Sequence, residues 1–402
     1  MSTPFREVER YWKTRKTKID LRRALSYEDI QWTSESALPK RGIWSDSVEC
    51  IQLSMEGKFP EQKVVVFPAF PGILYFPQVL SFEHQRKLIV ESLTTAKSPN
   101  LNSLSPHYDL PLEGLWAAYV AELKAGKVPG PSITDRQTAL NAEVAWIQRK
   151  DIPTNTGRRQ QIDLDPITAD NYMDVQQYGR TTILQNAQPI VETSPMKDQA
   201  ERGATLDQLL SKLRWTNLGW FYNWATKAYD FDKGPIDLPP IIHQTCKDLV
   251  SSVNWEQALR DPSPEDVNFQ SWGTNYKPEA GVVNFYQPKD SLTAHIDQSE
   301  IDATSPLVSL SIGTSAIFLI GGPTRDTTPL PILLRSGDAI CMCGKKGRRS
   351  FHGVPRILED TLPEYLSSTS VEGLNEYQDW KFFGGFMERG TRINVNVRQV
   401  FS

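Results

Sequence analysis

The sequence predicts an α+β protein, with helices and loops in its first half and an antiparallel β barrel or sandwich in its second. Three observations predict this. From Gly281 onward the chain breaks into short apolar runs separated by turn residues. LVSLSIGTSAIFLIGG (Leu307–Gly322) reads as two strands joined at Gly313, and PILLRSGDAICMCG (Pro331–Gly344) as two more joined at Ser336-Gly337-Asp338. TRINVNVRQVF closes the chain as a last strand, and short strands alternating with turns suggest a barrel or sandwich.

The elements before this β-rich half are mostly helical. Residues 1–60 are polar and charged, with a helix expected around Phe5–Leu25. A β-run at Ile73–Phe76 precedes Ser81 and Glu83, which suit a helix start, and Leu88, Ile89 and Leu93 continue the helical pattern. A second helix is expected near Leu112–Ala125, and a third at Leu206–Trp215 ahead of the aromatic stretch LGWFYNWATKAYDF. Residues 148–205 hold few apolar clusters and many turn formers, which reads as a flexible insertion or linker. Glu359–Trp380 carries six acids and no Lys or Arg, which reads as an exposed acidic insertion.

Composition narrows the function. The 402 residues are 39% hydrophobic and 23% charged, ordinary for a globular chain. Net charge is −4, so a nucleic-acid surface must be a local patch. One candidate is residues 1–23, where eight Lys and Arg against Glu7, Glu9 and Asp20 leave +5. This is either a solvated helix face or a phosphate-binding arm. The acids argue against a clean mitochondrial presequence, and no signal peptide opens the chain. The most apolar run, VVVFPAFPGILYFP, is short and holds three prolines, so no membrane span is expected. Cys50, Cys246, Cys341 and Cys343 are too few for a disulfide framework and form no zinc-type pair, which suggests a reducing compartment. The Cys341-Met-Cys343 pair reads as small buried hydrophobes, with a redox feature as the alternative.

The chemistry-bearing residues follow from strand parity, because side chains two apart share a face. In TRINVNVRQV, Ile393, Val395 and Val397 form an oily face, and Arg392, Asn394, Asn396 and Arg398 a cationic one. The default places the apolar face inward. The alternative turns the arginines inward, where each guanidinium could grip a carboxylate. In GVVNFYQPKDSLTAHID, Asn284 shares a face with Tyr286, and His295 with Asp297. A His and an Asp on one face could reach a single metal, and an Fe(II) oxygenase site needs a second His. Only His352, in RRSFHGVPR, follows the pair. The His-x-Asp triplet alone carries little. Asn-x-Tyr, His-x-Asp, a later His and Arg-x-Asn-x-x-x-Arg, in that order, carry much more.

That ordered set resembles the AlkB family of Fe(II)- and 2-oxoglutarate-dependent nucleic-acid dioxygenases, and within it the eukaryotic homolog-one branch. The marks are LLSKLRWTNLGWFYNW, VVNFYQPKDSLTAHIDQSEID, PLVSLSIGTSAIFLIGG, the SGDA turn, FHGVPR and RINVNVRQV. The resemblance is dense over Leu206–Ser402 and weaker over 1–147. It implies a double-stranded β-helix (jelly-roll) core with flanking helices and an N-terminal helical extension. The expected segments are a basic extension (1–60), a helical and β region packing on the core (61–147), the insertion (148–205) and the oxygenase domain (206–402).

The resemblance also implies Fe(II), 2-oxoglutarate and O2, with His295, Asp297 and His352 as iron ligands. Arg392 and Tyr286 would hold the distal carboxylate of 2-oxoglutarate, Arg398 and Asn284 would lie near its chelating end, and Asn394 would support them. The arginine face then points inward. Trp220 matches an aromatic residue that stacks on the target base, and Arg325 a substrate-side cation. The implied reaction is oxidative demethylation of an N-methylated base, with N6-methyladenine in DNA or 1-methyladenine in tRNA as candidates, releasing formaldehyde, succinate and CO2. Repair-type members carry an acid two residues after the metal Asp. Here Ser299 stands there, with Glu300 next, so both join the candidate substrate residues. Lys345, Lys346, Arg348 and Arg349 before His352 read as a phosphate contact, or as a solvated charged face. A protein or small-molecule hydroxylase and a non-catalytic nucleic-acid-binding module are the rival functions. A monomer in the nucleus, cytoplasm or mitochondrion is expected.

Overall fold

The structure is a computed structural model that describes residues 2–15, 18–29, 36–37, 49–101, 103–105, 107–126, 147, 204–223, 228–232, 234–297, 299–370 and 379–401. It divides into two compact units, Met1–Ile89 with Leu238–Ser402, and Val90–Asp237. This division falls at other places than the four expected segments. All of 148–205 except Ala204 and Thr205 lies outside the described residues.

The first unit opens with helix α1 (Pro4–Lys13). Thr3 caps it by accepting from the Arg6 amide, and Pro4 sits where no amide partner is needed. Phe5, Val8 and Trp12, at helical spacing, bury against Ala294, Ile317, Leu319, Leu333 and Leu358. The expected helix to Leu25 stops at Lys13. Thr14 turns extended and its hydroxyl donates to the Arg10 carbonyl. The chain then runs back so that Leu25 bridges Ile332, with Leu25 N–H donating to the Pro331 carbonyl. Strands β1 (Ser36–Ala37), β2 (Cys50–Ser54), β3 (Lys63–Val66) and β4 (Ile73–Phe76) follow. The extension expected to be helical thus also supplies sheet. Helix Phe82–Thr94 begins where foreseen, with Ser81 Oγ accepting from the His84 amide.

The second unit holds helices Leu115–Lys124 and Leu206–Lys212, which pack on each other. Thr205 and Gln208 close a reciprocal cap that starts the latter. That helix ends short of Trp215, because β5 (Trp215–Gly219) begins there. Strands β6 (Phe221–Asn223) and β7 (Ala228–Asp230) form a hairpin.

The core of the first unit is built from β8 (Ala280–Tyr286), β9 (Leu292–His295), β10 (Leu307–Gly313), β11 (Ala316–Ile320), β12 (Leu330–Leu334), β13 (Ala339–Met342), β14 (His352–Ile357) and β15 (Arg392–Arg398). In this unit the larger sheet runs β1-β2-β3-β4-β13-β10-β15-β8, and the smaller runs β12-β11-β14-β9. The pairs β10/β11 and β12/β13 are contiguous in sequence yet do not pair with each other. Each turn instead carries the chain from one sheet to the other, which is jelly-roll topology. Gly313 makes the first crossing at φ +90°, where a Cβ would lie 2.6 Å from the Thr391 carbonyl oxygen. Side chains of both sheets, including Tyr75, Tyr286, Leu307, Phe318, Ile340 and Val354, fill the space between them. The four cysteines are buried and none is in a disulfide among the described residues, and burial pushes the Cys50 thiol up to about 12.

The acidic segment is less exposed than its composition suggests. Leu366 and Trp380 are buried. Arg86 donates to the Tyr365 carbonyl and Ser370 Oγ and stacks on the Trp380 ring at 4.9 Å, docking both ends. Residues 371–378 of this segment lie outside the described residues. Among the described residues, no helix is long and apolar enough to cross a membrane.

Candidate metal centre

Strands β9 and β14 pair antiparallel with His295 opposite His352. One histidine ends its strand and the other begins its own. Asp297 follows two residues after β9. One ligand-type atom from each of His295, Asp297 and His352 lies within 4.8 Å of the other two. The arrangement of the imidazoles is fixed from behind. His295 Nδ1 faces the Thr293 carbonyl at 3.0 Å, and His352 Nδ1 faces the Ser350 carbonyl at 3.1 Å. A carbonyl only accepts, so each Nδ1 carries the proton and each Nε2 is left as a lone-pair donor. The ring centroids are 4.4 Å apart.

Electrostatics favour the ligand forms of two of the three. Burial, with His295 adding to it, pulls His352 down to about 4 and keeps it neutral. Burial pushes Asp297 toward protonation. Arg398 and the two histidines outweigh it and hold the carboxyl well below the usual range. At His295 burial favours the neutral ring, but the Asp297 hydrogen bond and charge outweigh it and raise its affinity for a proton. Two nitrogens and one carboxylate oxygen on one side of a site suit Fe(II) with open positions for other ligands.

Behind this trio lies the cationic face of β15. Ile393, Val395 and Val397 are fully buried, and so, nearly, are Arg392 and Arg398. The apolar-in, polar-out default therefore fails, and both faces are covered. β15 pairs with β8, placing Arg392 opposite Tyr286 and Asn394 opposite Asn284. Asn284 Nδ2 reaches Asn394 Oδ1 at 3.4 Å, and Asn394 donates to Ser309 Oγ and the Leu310 carbonyl. Tyr286 belongs to the apolar filling between the sheets. Burial pushes its phenol up to about 12, so it stays a neutral donor.

Arg392 is 1% exposed and donates only to neutral oxygens, the Thr314 carbonyl at 3.1 Å and Ser311 Oγ at 2.7 Å. Its Nε has no hydrogen-bond partner, and no acid pairs with it among the described residues. Burial lowers it to about 10. An uncompensated buried cation is costly, and an incoming carboxylate would relieve that cost. Arg398 differs. Its Nη1 lies 3.3 Å from Asp297 Oδ2 and 2.8 Å from Glu300 Oε1.

The expected substrate residues separate. Glu300 is buried, with one oxygen on Arg398 and the other on Arg348 Nη2 at 2.8 Å. Arg348 is itself buried and also donates to the Ser305 carbonyl. These two form an internal ion network and present nothing outward. The basic run before His352 is therefore not one phosphate-facing stripe. Lys346 pairs with Asp261, Lys345 lies 4.0 Å from Glu265, and Arg349 is half-buried. Ser299 is buried as well. Arg325 donates to the Ala294 carbonyl and lines a cleft of about 310 Å³ with Arg6, Arg10, Lys13 and Thr293. Trp220, in the second unit, meets Phe231 edge-on at 5.2 Å, and Phe231 stacks on Tyr229.

Two contributors escaped the sequence. Glu9 was counted only as an acid in a basic arm, yet it accepts from the Ala294 amide. Gly353 stands inside the FHGVPR motif. A Cβ there would lie 3.0 Å from the Leu292 carbonyl and 3.1 Å from the Ala294 nitrogen, so its lack of a side chain lets β14 approach β9.

A sequence model of the 2OG-Fe(II) oxygenase superfamily matches residues 169–398, more than half the chain. The chain belongs to this superfamily, in its AlkB family. It is 41% identical over 198 residues to the tRNA demethylase abh1 of Schizosaccharomyces pombe, covering 49% of this chain and 56% of that one. It is 27% identical to the DNA N(6)-methyladenine demethylase ALKBH1A of Arabidopsis thaliana, over 99% of this chain and 96% of that one. It is 33% identical to the N6-methyladenosine RNA demethylase ALKBH of Cryphonectria parasitica, over 47% of this chain and 76% of that one. The chain thus spans about half the length of the fission-yeast relative and nearly all of the plant one. The cofactors of this AlkB-family oxygenase are Fe(II), 2-oxoglutarate and O2. The residues present fit them, with a two-nitrogen, one-oxygen donor set for the metal and an uncompensated buried arginine for a carboxylate.

Proposed function

We propose that the protein oxidatively demethylates an N-methylated base, a methyladenine of DNA or RNA, acting as a monomer. The observation that carries the reading is the convergence of His295, Asp297 and His352 in a jelly roll whose last strand holds the uncompensated Arg392. When bound, the iron with 2-oxoglutarate and O2 supplies oxidation of the methyl carbon, which leaves as formaldehyde while 2-oxoglutarate becomes succinate and CO2. The chain's own residues do the rest. His295 and His352 present Nε2 and Asp297 presents an oxygen. Arg392 and the neutral Tyr286 hydroxyl would hold the distal carboxylate, each as a donor. Arg398 and Asn284 would lie toward its chelating end, with Asn394 accepting from the Asn284 amide.

The names of the relatives support a nucleic-acid substrate, as do the cationic residues Arg6, Arg10 and Arg325 around one cleft. A base must leave its stack to reach a buried metal.

The test supplies the protein with Fe(II), 2-oxoglutarate and oligonucleotides bearing N6-methyladenine or 1-methyladenine, as DNA and as RNA. Nucleosides are then quantified by mass spectrometry. Loss of the methyl mark on at least one oligonucleotide is expected. No loss on any of them, with succinate released only when a peptide is supplied, would place the protein among the hydroxylases instead.

A further inference from the structure

The metal ligand His295 ends β9, a four-residue strand at the outer edge of the smaller sheet. On its inner side β9 has only β14, in a register interrupted by an irregularity between His352 and Val354. An edge strand this short holds its terminal residue poorly unless its free edge is tied down. Here the free edge is tied by side chains. Ala294, directly before His295, gives its amide proton to Glu9 Oε1 at 3.1 Å. Its carbonyl accepts from Arg325 Nη2 at 3.1 Å. Both groups that another strand would have satisfied are therefore held from α1 and from the loop after β11.

The same two elements hold the second histidine. Arg325 lies over the Phe351 ring at 5.0 Å, and Phe5 of α1 meets that ring edge-on at 6.3 Å. The Phe5 amide donates to the Arg325 carbonyl, joining the two elements. Phe351 directly precedes His352 and exchanges backbone hydrogen bonds with Gly321 and Gly322. Lys13 completes the assembly. It pairs with Glu9 at 3.0 Å and donates to Thr293 Oγ1 at 3.2 Å. Glu9 is 8% exposed despite its charge, which is unusual for an acid on a basic surface helix.

We infer that Glu9 and Arg325 are positioning residues that clamp the Ala294 peptide and thereby set the separation of the two imidazoles and the affinity for the metal. This rests on the metal reading of His295, Asp297 and His352. The basic N-terminal helix is then part of the metal site's support, whatever else its cations bind. The Ala294 amide needs only an acceptor oxygen, so the neutral side-chain amide oxygen of Gln would serve at position 9.

The experiment titrates the full chain with Co(II) and follows the visible d–d absorption, alongside thermal unfolding. Glu9→Ala should weaken Co(II) binding by about tenfold and alter the band shape, and Glu9→Gln should bind nearly as wild type. Arg325→Met, which keeps the stem over Phe351 but removes the donor, should also weaken binding and decides the matter if Glu9→Ala does not fold. Binding within about twofold of wild type for a folded Glu9→Ala, or failing that for Arg325→Met, overturns the clamp. Equal losses for Glu9→Gln and Glu9→Ala overturn it too. A wild-type chain that binds no Co(II) instead overturns the metal reading beneath it.

Discussion

Glu300 Oε1 accepts from Arg398 Nη1 at 2.8 Å where both side chains are buried. Its other oxygen is taken by Arg348, so one carboxylate compensates two buried guanidinium groups. Removing it leaves Arg348 without a carboxylate and Arg398 with only Asp297, at 3.3 Å. Glu300→Ala should therefore destabilise the fold by about 3–5 kcal/mol, measured by urea denaturation of the metal-free protein. A loss within experimental error would mean that water already screens the pair.

The two β15 arginines should separate by what they disturb. Arg392 touches no metal-ligand candidate, whereas Arg398 lies 3.3 Å from Asp297. Arg392→Met should raise the KM for 2-oxoglutarate by roughly 100-fold, equivalent to a lost charge-assisted bond pair, with metal affinity unchanged. Arg398→Met should lower affinity for both. Parallel titrations of 2-oxoglutarate and Co(II) check this, and identical profiles for the two variants would contradict it.

Tyr286 predicts a pH dependence at the alkaline end. Its phenol is raised from the ordinary 10 to about 12 in the fold, chiefly by burial. Because the folded value lies above the unfolded one, the contribution to stability is full below pH 10 and is lost as pH rises through 12. Relative to Tyr286→Phe, the wild type should lose roughly 2–3 kcal/mol across that window. Unfolding free energies at stepped pH for both proteins check it, and a constant difference would be the contrary result.

Gly353 should tolerate no side chain. A methyl group there meets backbone of the paired strand at 3.0 Å, on either side of the residues that position His295. Gly353→Ala should part β14 from β9, costing about 1–3 kcal/mol of stability and much of the metal affinity. Both are measurable on the same sample by thermal unfolding and Co(II) titration.

Strand parity groups His295 with Asp297 and Arg392 with Arg398, because spacing is a local property of the chain; that the arginine face turns inward, against the parity default, rests on the family resemblance. The core strands were legible for the same reason, including the turns at Gly313 and Gly337. The Glu300–Arg348 pair was not, because 48 residues separate its members and Arg348 sits in a run of cations that looks solvated. Nor was Glu9, whose role depends on where α1 meets the free edge of β9. The helix end at Lys13 was missed because the chain leaves helix to reach the edge of β12, a tertiary demand that overrides local propensity. The acidic segment looked exposed because Arg86, which docks it, lies 279 residues away in sequence from Tyr365.

The proposed function makes the His295–Asp297–His352 trio drive oxidation of a base methyl group. Formaldehyde and succinate are therefore measured together on a methyladenine oligonucleotide, for the wild type and for His295→Ala. Equal amounts of the two products are expected from the wild type and neither from the variant. Succinate without formaldehyde across the methyladenine oligonucleotides, or demethylation that survives His295→Ala, would contradict it.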